Sequence, residues 1–307
     1  MATIVFMGTP DFAVPALQAL HTRFGVAAVV TVPDKPVGRG LTLRPSAVKQ
    51  AAIELGITTI LQPESLKDEQ FQQQLAALQP DILCVIAFRI LPRAVYSIAR
   101  VGAFNVHASL LPKFRGAAPI NHAIINGEKE SGVTSFLLND VVDTGNILLQ
   151  ERIAITDGTT AGELYTQLMP LAAQLALTTT EGLLQQTLTP QQQNEELASP
   201  APKVWRDECV IDWRKDADVV RNFILGVSPL PCAWTLLNNE RIKIYKAEVS
   251  PAIMPDATWM MTDTEWIVGC GSASLSLTEI QMPGKPIVKV KDFLRGWRGD
   301  KTGVFEE

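Results

Sequence analysis

Residues 104–150 read FNVHASLLPKFRGAAPINHAIINGEKESGVTSFLLNDVVDTGNILLQ, and the rest of the chain is arranged around them. Asn105 and His107 alternate with Phe104 and Val106. That is the period of a strand, so both polar side chains leave one face of it. Ser109-Leu110-Leu111-Pro112 then turns the chain away. Asp143-Thr144-Gly145 lies between the apolar runs 135–138 and 147–149, where a strand-to-strand loop belongs. An amide, an imidazole and a carboxylate converging at an exposed rim suit acyl transfer. The amide can donate to a developing oxyanion, and imidazole is the usual proton carrier.

Upstream, the apolar run 3–7, the turn Gly8-Thr9-Pro10-Asp11 and the amphipathic run 12–20 predict a strand, a turn and a helix capped by Asp11. A second strand is expected over 26–32, and further strands over 57–61 and 81–88 with a helix over 66–78 between them. The run at 81–88 is nearly continuous in apolar residues, as in a central parallel strand covered on both faces. Arg89-Ile90-Leu91-Pro92 follows at its carboxyl end, where open α/β sheets bind ligands. The intervening stretch 33–45 reads as an exposed loop carrying Lys35, Arg39 and Arg44, with Lys49 beyond, against Asp34 alone. Such a loop suits phosphate contact.

Downstream, helices are expected over 116–126 and 160–185 and a strand over 146–155, with Thr160 and Glu163 as a capping box. Alternating strands and helices point to a Rossmann-like α/β domain with a mostly parallel sheet over 1–188. The stretch 187–202 is polar, proline-marked and aperiodic, so 189–204 reads as a linker. Short alternating segments at 234–237, 241–249, 258–261, 266–268 and 273–280 predict a small OB-like β-barrel over 205–307. Lys285, Lys289, Lys291, Arg295, Arg298 and Lys301 crowd its end against Asp292 and Asp300. A basic strip on a small barrel fits the nucleic-acid backbone.

Composition bounds these readings. The 307 residues are 47% hydrophobic and 19% charged, with a formal charge of −5, so nucleic-acid contact must rest on local basic patches. No apolar run reaches the roughly 18 residues of a membrane helix. The opening MATIVFMGTPDF has no basic lead and reads as a first strand. Cys84, Cys209, Cys232 and Cys270 are scattered without a CxxC pair, as expected of a cytoplasmic protein with neither disulfides nor a thiolate metal site.

Phe104–Pro112 resembles the Asn-x-His…Ser-Leu-Leu-Pro core of the folate-dependent formyltransferases. Arg115-Gly116-Ala117-Ala118-Pro119-Ile120, Asp143-Thr144-Gly145, Gly8-Thr9-Pro10-Asp11-Phe12-Ala13 and the 33–40 loop are similar to further motifs of that family, in order along the chain. So are Asn222…Pro229-Leu230-Pro231-Cys232-Ala233-Trp234 and Gln281–Lys285, which belong to the branch that acts on tRNA. Ala87-Phe88-Arg89 departs from the Ala-Tyr-Gly common in that branch, and Val141-Val142 stands in place of Gly-Leu.

The resemblance implies transfer of a formyl group from 10-formyltetrahydrofolate to the amine of initiator methionyl-tRNA. It makes Asn105, His107 and Asp143 the catalytic set. It makes Phe88, Arg89, Ile90, Leu91, Ser109, Leu110, Leu111, Pro112, Val141 and Thr144 the folate wall. Lys35, Arg39, Arg44, Lys49, Lys285, Lys289 and Arg295 become the tRNA contacts. No metal is implied, and a monomer is expected. The rivals are transfer to a small amine such as an amino sugar or purine precursor, hydrolysis of the same folate, and an inactive RNA-binding scaffold.

Overall fold

The computed structural model describes residues 2–37 and 42–305. In chain order the elements are β1 (Ile4–Gly8), α1 (Val14–Phe24), β2 (Val26–Val30), β3 (Lys35–Val37), β4 (Thr42–Arg44), α2 (Ala47–Glu54), β5 (Ile60–Leu61), α3 (Glu69–Ala77), β6 (Ile82–Ile86), α4 (Arg93–Tyr96), β7 (Gly102–His107) and α5 (Pro119–Ile125). They continue with β8 (Glu130–Leu137), β9 (Ile147–Ala154), α6 (Ala161–Leu184), α7 (Ala217–Gly226), β10 (Ala233–Leu237), β11 (Glu240–Ser250) and β12 (Thr258–Met261). The last are β13 (Trp266–Gly269), β14 (Ser274–Gln281), β15 (Val288–Lys289), α8 (Val290–Gly296) and β16 (Thr302–Val304). Two compact units result. One takes residues up to Gly116 with Ser131–Ile153 and Tyr165–Pro200; the other takes Ala117–Glu130, Ala154–Leu164 and everything from Ala201.

The first unit is built on a sheet in the order β5-β2-β1-β6-β7-β8-β9. The first five strands run parallel, and β7 pairs with β8 antiparallel. Strand order reverses beside β1, so a crevice opens at the carboxyl ends of β1 and β6, where doubly wound sheets bind ligands. Every residue of β6 is buried, which explains its unbroken apolar sequence. One face of the sheet packs Val5, Met7, Val30, Leu83 and Val85 against Phe71 and Leu75 of α3 and Val95 of α4.

Several details differ from the sequence expectations. Asp11 does not cap a helix. It lies in a 3-10 turn, Asp11–Ala13, and its carboxylate accepts from the Phe12 amide and the Tyr165 hydroxyl. In the basic stretch, β3 and β4 form a hairpin in which Lys35 faces Arg44; Arg39 lies outside the described residues. The helix expected from 116 starts only at Pro119, because Gly116 has φ 126° and Ala118, which caps it, is non-helical at φ −134° and ψ 50°. The capping box of α6 forms as expected: Thr160 Oγ1 accepts from the Glu163 amide, and Glu163 accepts from the Thr160 amide at 2.8 Å. The stretch read as a linker is instead pinned to the first unit up to Pro200. Gln191 bridges to Ile147, Pro200 bridges to Arg115, and a 3-10 turn forms over Glu195–Leu197. Its polar residues are held by hydrogen bonds, which leave no hydrophobic period to read.

The second unit is a curled antiparallel sheet, β10-β11-β14-β13-β12-β16 with β15 on β14, a half-barrel of the expected kind. Its core is aromatic: Trp266 stacks on Phe293, Trp213 stacks on Phe305, and Trp259 meets Trp266 edge-on. Two helices, α7 and α8, flank the strand pattern that the sequence predicts. One of them, α7, buries Ala217, Val220, Ile224 and Leu225, which is helical spacing and not the alternation of a strand.

Candidate active site

Strand β7 carries Asn105 and His107 two residues apart, opposite Phe136 and Thr134 of β8, so one face at its carboxyl end presents both. The buried His107 ring is fixed by backbone: Nε2 lies 2.8 Å from the Phe114 carbonyl. A carbonyl only accepts, so Nε2 holds the hydrogen and Nδ1 is left with its lone pair. Nδ1 faces Asp143 Oδ2 at 3.7 Å. That is too long for a direct hydrogen bond, and it is within ion-pair reach once Nδ1 takes a proton. Asn105 Oδ1 is buried without any hydrogen-bond partner. Buried polar atoms are rarely left so, and each one calls for an explanation.

Backbone in the left-handed region surrounds this group. Ala87, Phe114 and Asp143 have φ of 48°, 62° and 56°. Such conformations cost non-glycine residues energy and persist only where neighbours enforce them. At Asp143 the enforcement is visible. Its Oδ2 accepts from the Gly116 amide at 2.9 Å, and the backbone oxygens of Asp143 and Gly145 accept from Gln193 Nε2 at 2.9 and 2.8 Å. Gly145 allows the close pass: a Cβ there would stand 1.6 Å from the Leu137 oxygen.

The expected folate wall divides by exposure. Ile90 is 74% and Val141 62% exposed, apolar surface offered to a partner. Leu91, Leu111 and Ser109 are buried, so their side chains turn inward; the Ser109 hydroxyl donates to the Lys113 carbonyl. Pro112 follows a cis peptide, and Leu110 is half-buried beside it. Thr144 Oγ1 closes the Val141 turn by donating to its carbonyl. Arg89 lies over the Phe88 ring and donates to the Pro63 and Glu64 carbonyls, and burial lowers its pKa from the ordinary guanidinium value. Two of its donors are thereby committed within the protein, while Nε is buried without a hydrogen-bond partner.

Among the expected tRNA contacts, Lys35, Arg44, Lys285 and Lys289 are exposed. Arg295 is exposed but pairs with Asp292 at 3.0 Å. Lys49 is half-buried in a 2.7 Å ion pair with Asp34, which also accepts from Gln62.

Sequence reasoning assigned no role to four groups that the geometry brings to the site: the Phe114 carbonyl, the Gly116 amide, Arg115 and Gln193. The first two are backbone atoms, which no side-chain pattern reveals. The cysteines offer no nucleophile, since burial pushes the Cys209 and Cys232 thiols up to about 11 and Cys270 up to about 12. Among the described residues no group of three or more His, Cys, Asp or Glu could hold a metal ion, and no helix is long and apolar enough to cross a membrane.

Comparison with known proteins agrees along the whole chain. Residues 1–180 match the family model for formyl transferase, and residues 203–298 match the model for the formyl transferase C-terminal domain. A methionyl-tRNA formyltransferase of Parabacteroides distasonis is 43% identical over 310 residues, covering 96% of this chain and 95% of the relative. One of Chlorobium phaeovibrioides is 42% identical, covering 98% and 97%. In fold, the chain is similar to the N-formyltransferase of Helicobacter canadensis solved in complex with folinic acid and dTDP-3-aminofucose. The TM-score is 0.69 at 20% identity, over 90% of this chain and 99% of that one.

Proposed function

The chain belongs to the formyl transferase family, in its methionyl-tRNA formyltransferase branch, and we propose that it carries the formyl group of 10-formyltetrahydrofolate to the methionine amine of initiator tRNA. Residues 1–188 carry the chemistry and 205–307 supply the grip on tRNA. The amine attacks the formyl carbon, a C–N bond forms, and negative charge collects on the formyl oxygen. The bond to the folate nitrogen then breaks, and that nitrogen leaves with a proton while the amine gives one up.

The observation that carries this reading is the face of β7, where an unpartnered amide oxygen at Asn105 adjoins an imidazole whose Nδ1 is free toward Asp143. The Asn105 NH2 donates to the oxyanion. His107 Nδ1 takes the amine proton, because Nε2 is committed to the Phe114 carbonyl. The imidazolium so formed stands 3.7 Å from Asp143, with side chains only 7% and 10% exposed. The opposite charge of that carboxylate faces the proton that Nδ1 takes up. Ile90 and Val141 offer apolar wall to the folate, and the Lys35–Arg44 hairpin offers charge to phosphates.

The test is direct. The purified protein is given labelled 10-formyltetrahydrofolate with charged initiator tRNA, charged elongator methionine tRNA, or a nucleotide-linked amino sugar. Label on the initiator tRNA is expected. Label on the sugar instead, or formate released regardless of acceptor, overturns the proposal. Gel filtration at the 33.5 kDa of a single chain is expected.

A further inference from the structure

The amide of Gln193 is fully committed. Its Nε2 donates to the Asp143 and Gly145 carbonyls at 2.9 and 2.8 Å, and its Oε1 accepts from Arg115 Nε and Nη2 at 3.1 and 2.7 Å. Both donors and both lone pairs are used, and the residue is 5% exposed. This orientation is the only one allowed. A flipped amide would aim its oxygen at two carbonyls and its NH2 at a guanidinium, groups that only accept and only donate respectively.

Arg115 is held in turn. Glu195 binds it bidentately at 2.7 and 2.8 Å, and this pairing raises the guanidinium pKa and lowers that of the Glu195 carboxyl. On either side of Gln193 the backbone is pinned: Gln191 exchanges two hydrogen bonds with Ile147, and the Ser199 carbonyl accepts from the Arg115 amide at 2.8 Å. The bonds close into a ring. Arg115 holds Gln193, Gln193 holds the backbone of the Asp143 turn, and the Asp143 carboxylate accepts from Gly116, the neighbour of Arg115.

We propose that Gln193 is a positioning residue for the reaction, the pin that keeps Asp143 in its left-handed backbone conformation with its carboxylate 3.7 Å from His107. Without the two bonds from Nε2, the turn loses two of the bonds that oppose relaxation of φ 56° toward the ordinary region, and the carboxylate shifts with it. Arg115 and Glu195 set which end of the amide faces the turn. The proposal rests on the catalytic reading of Asp143.

Gln193→Glu is the informative change. One carboxylate oxygen keeps the bond to Arg115, while the other meets two carbonyls it cannot bind. The expected result is a kcat about 100-fold lower, the usual consequence of displacing a reacting group by about 1 Å, with KM for both substrates unchanged. The double variant Asp143→Asn/Gln193→Glu should be no slower than Asp143→Asn alone, because the pin acts through that carboxylate. If Gln193→Glu does not fold, the near-isosteric Gln193→Met takes its place in the same cycle. Wild-type kcat in the single variant, losses that multiply in the double, or failure of both substitutions to fold would overturn the proposal. Full activity of Asp143→Asn would instead remove the reading beneath it, a result distinct from a slow Asp143→Asn beside an unaffected Gln193→Glu.

Discussion

Gly145→Ala tests how tightly the Asp143 turn is fitted against the sheet. An added Cβ would lie 1.6 Å from the Leu137 oxygen and 3.0 Å from Phe136 Cδ2. Restoring a tolerable approach of about 3 Å requires a shift of about 1.4 Å. Either β8 or the turn must move, and β8 is laddered to β7 along four residue pairs. The turn therefore moves, carrying Asp143 two residues away and lengthening the bonds from Gln193. A misplacement of this size costs about 100-fold in kcat. Overpacking costs about 1–3 kcal/mol of stability, and each kcal/mol lowers Tm by about 2–4 °C for a unit of this size. The protein thus stays folded at 25 °C while losing its chemistry. The assay is formyl transfer to charged initiator tRNA at saturating substrates, beside a thermal melt. Gly296→Ala, where a Cβ meets nothing within 4 Å, is the control. A Gly145→Ala enzyme with wild-type kcat would refute the claim that the turn positions a reacting group.

Lys35→Ala/Arg44→Ala should raise KM for tRNA and leave folate binding unchanged, and the salt dependence of tRNA binding should flatten by about one logarithmic unit per lost phosphate contact; an unaltered salt slope would remove the hairpin from the interface. Asp34 gives a pH prediction. Hydrogen bonds from Lys49 and Gln62 hold its carboxyl below the ordinary 3.8, so the stability it supplies is present above that value and is lost as pH falls through the lower folded pKa. The Tm gap between wild type and Asp34→Asn should be open at pH 7 and close below pH 3.8; a constant gap would contradict the pairing.

Much of the site could be read from residue order. Period-2 spacing put Asn105 and His107 on one face, and the apolar stretch before Arg89 marked a central strand ending at a ligand crevice. What escaped reading has a common physical origin. The hydrogen bond that orients His107 comes from a carbonyl, and one that fixes Asp143 comes from an amide, groups every residue carries. Gln193 sat in a stretch whose polarity resembled a spacer, yet its side-chain hydrogen bonds reach residues 48 to 78 positions away, which leave no periodic trace. Helices α7 and α8 lie before and after the alternating segments at 234–280, outside the runs whose period was legible. Lys49 looked like one more basic group near the loop; only folding reveals that Asp34 neutralises it.

The central claim is that Asn105 steadies the negative oxygen formed as the formyl group changes hands. Single-turnover transfer by Asn105→Ala, with both substrates fully bound, measures that step alone. A rate about 100- to 1000-fold below wild type is predicted, with substrate binding intact. A wild-type single-turnover rate would contradict the account.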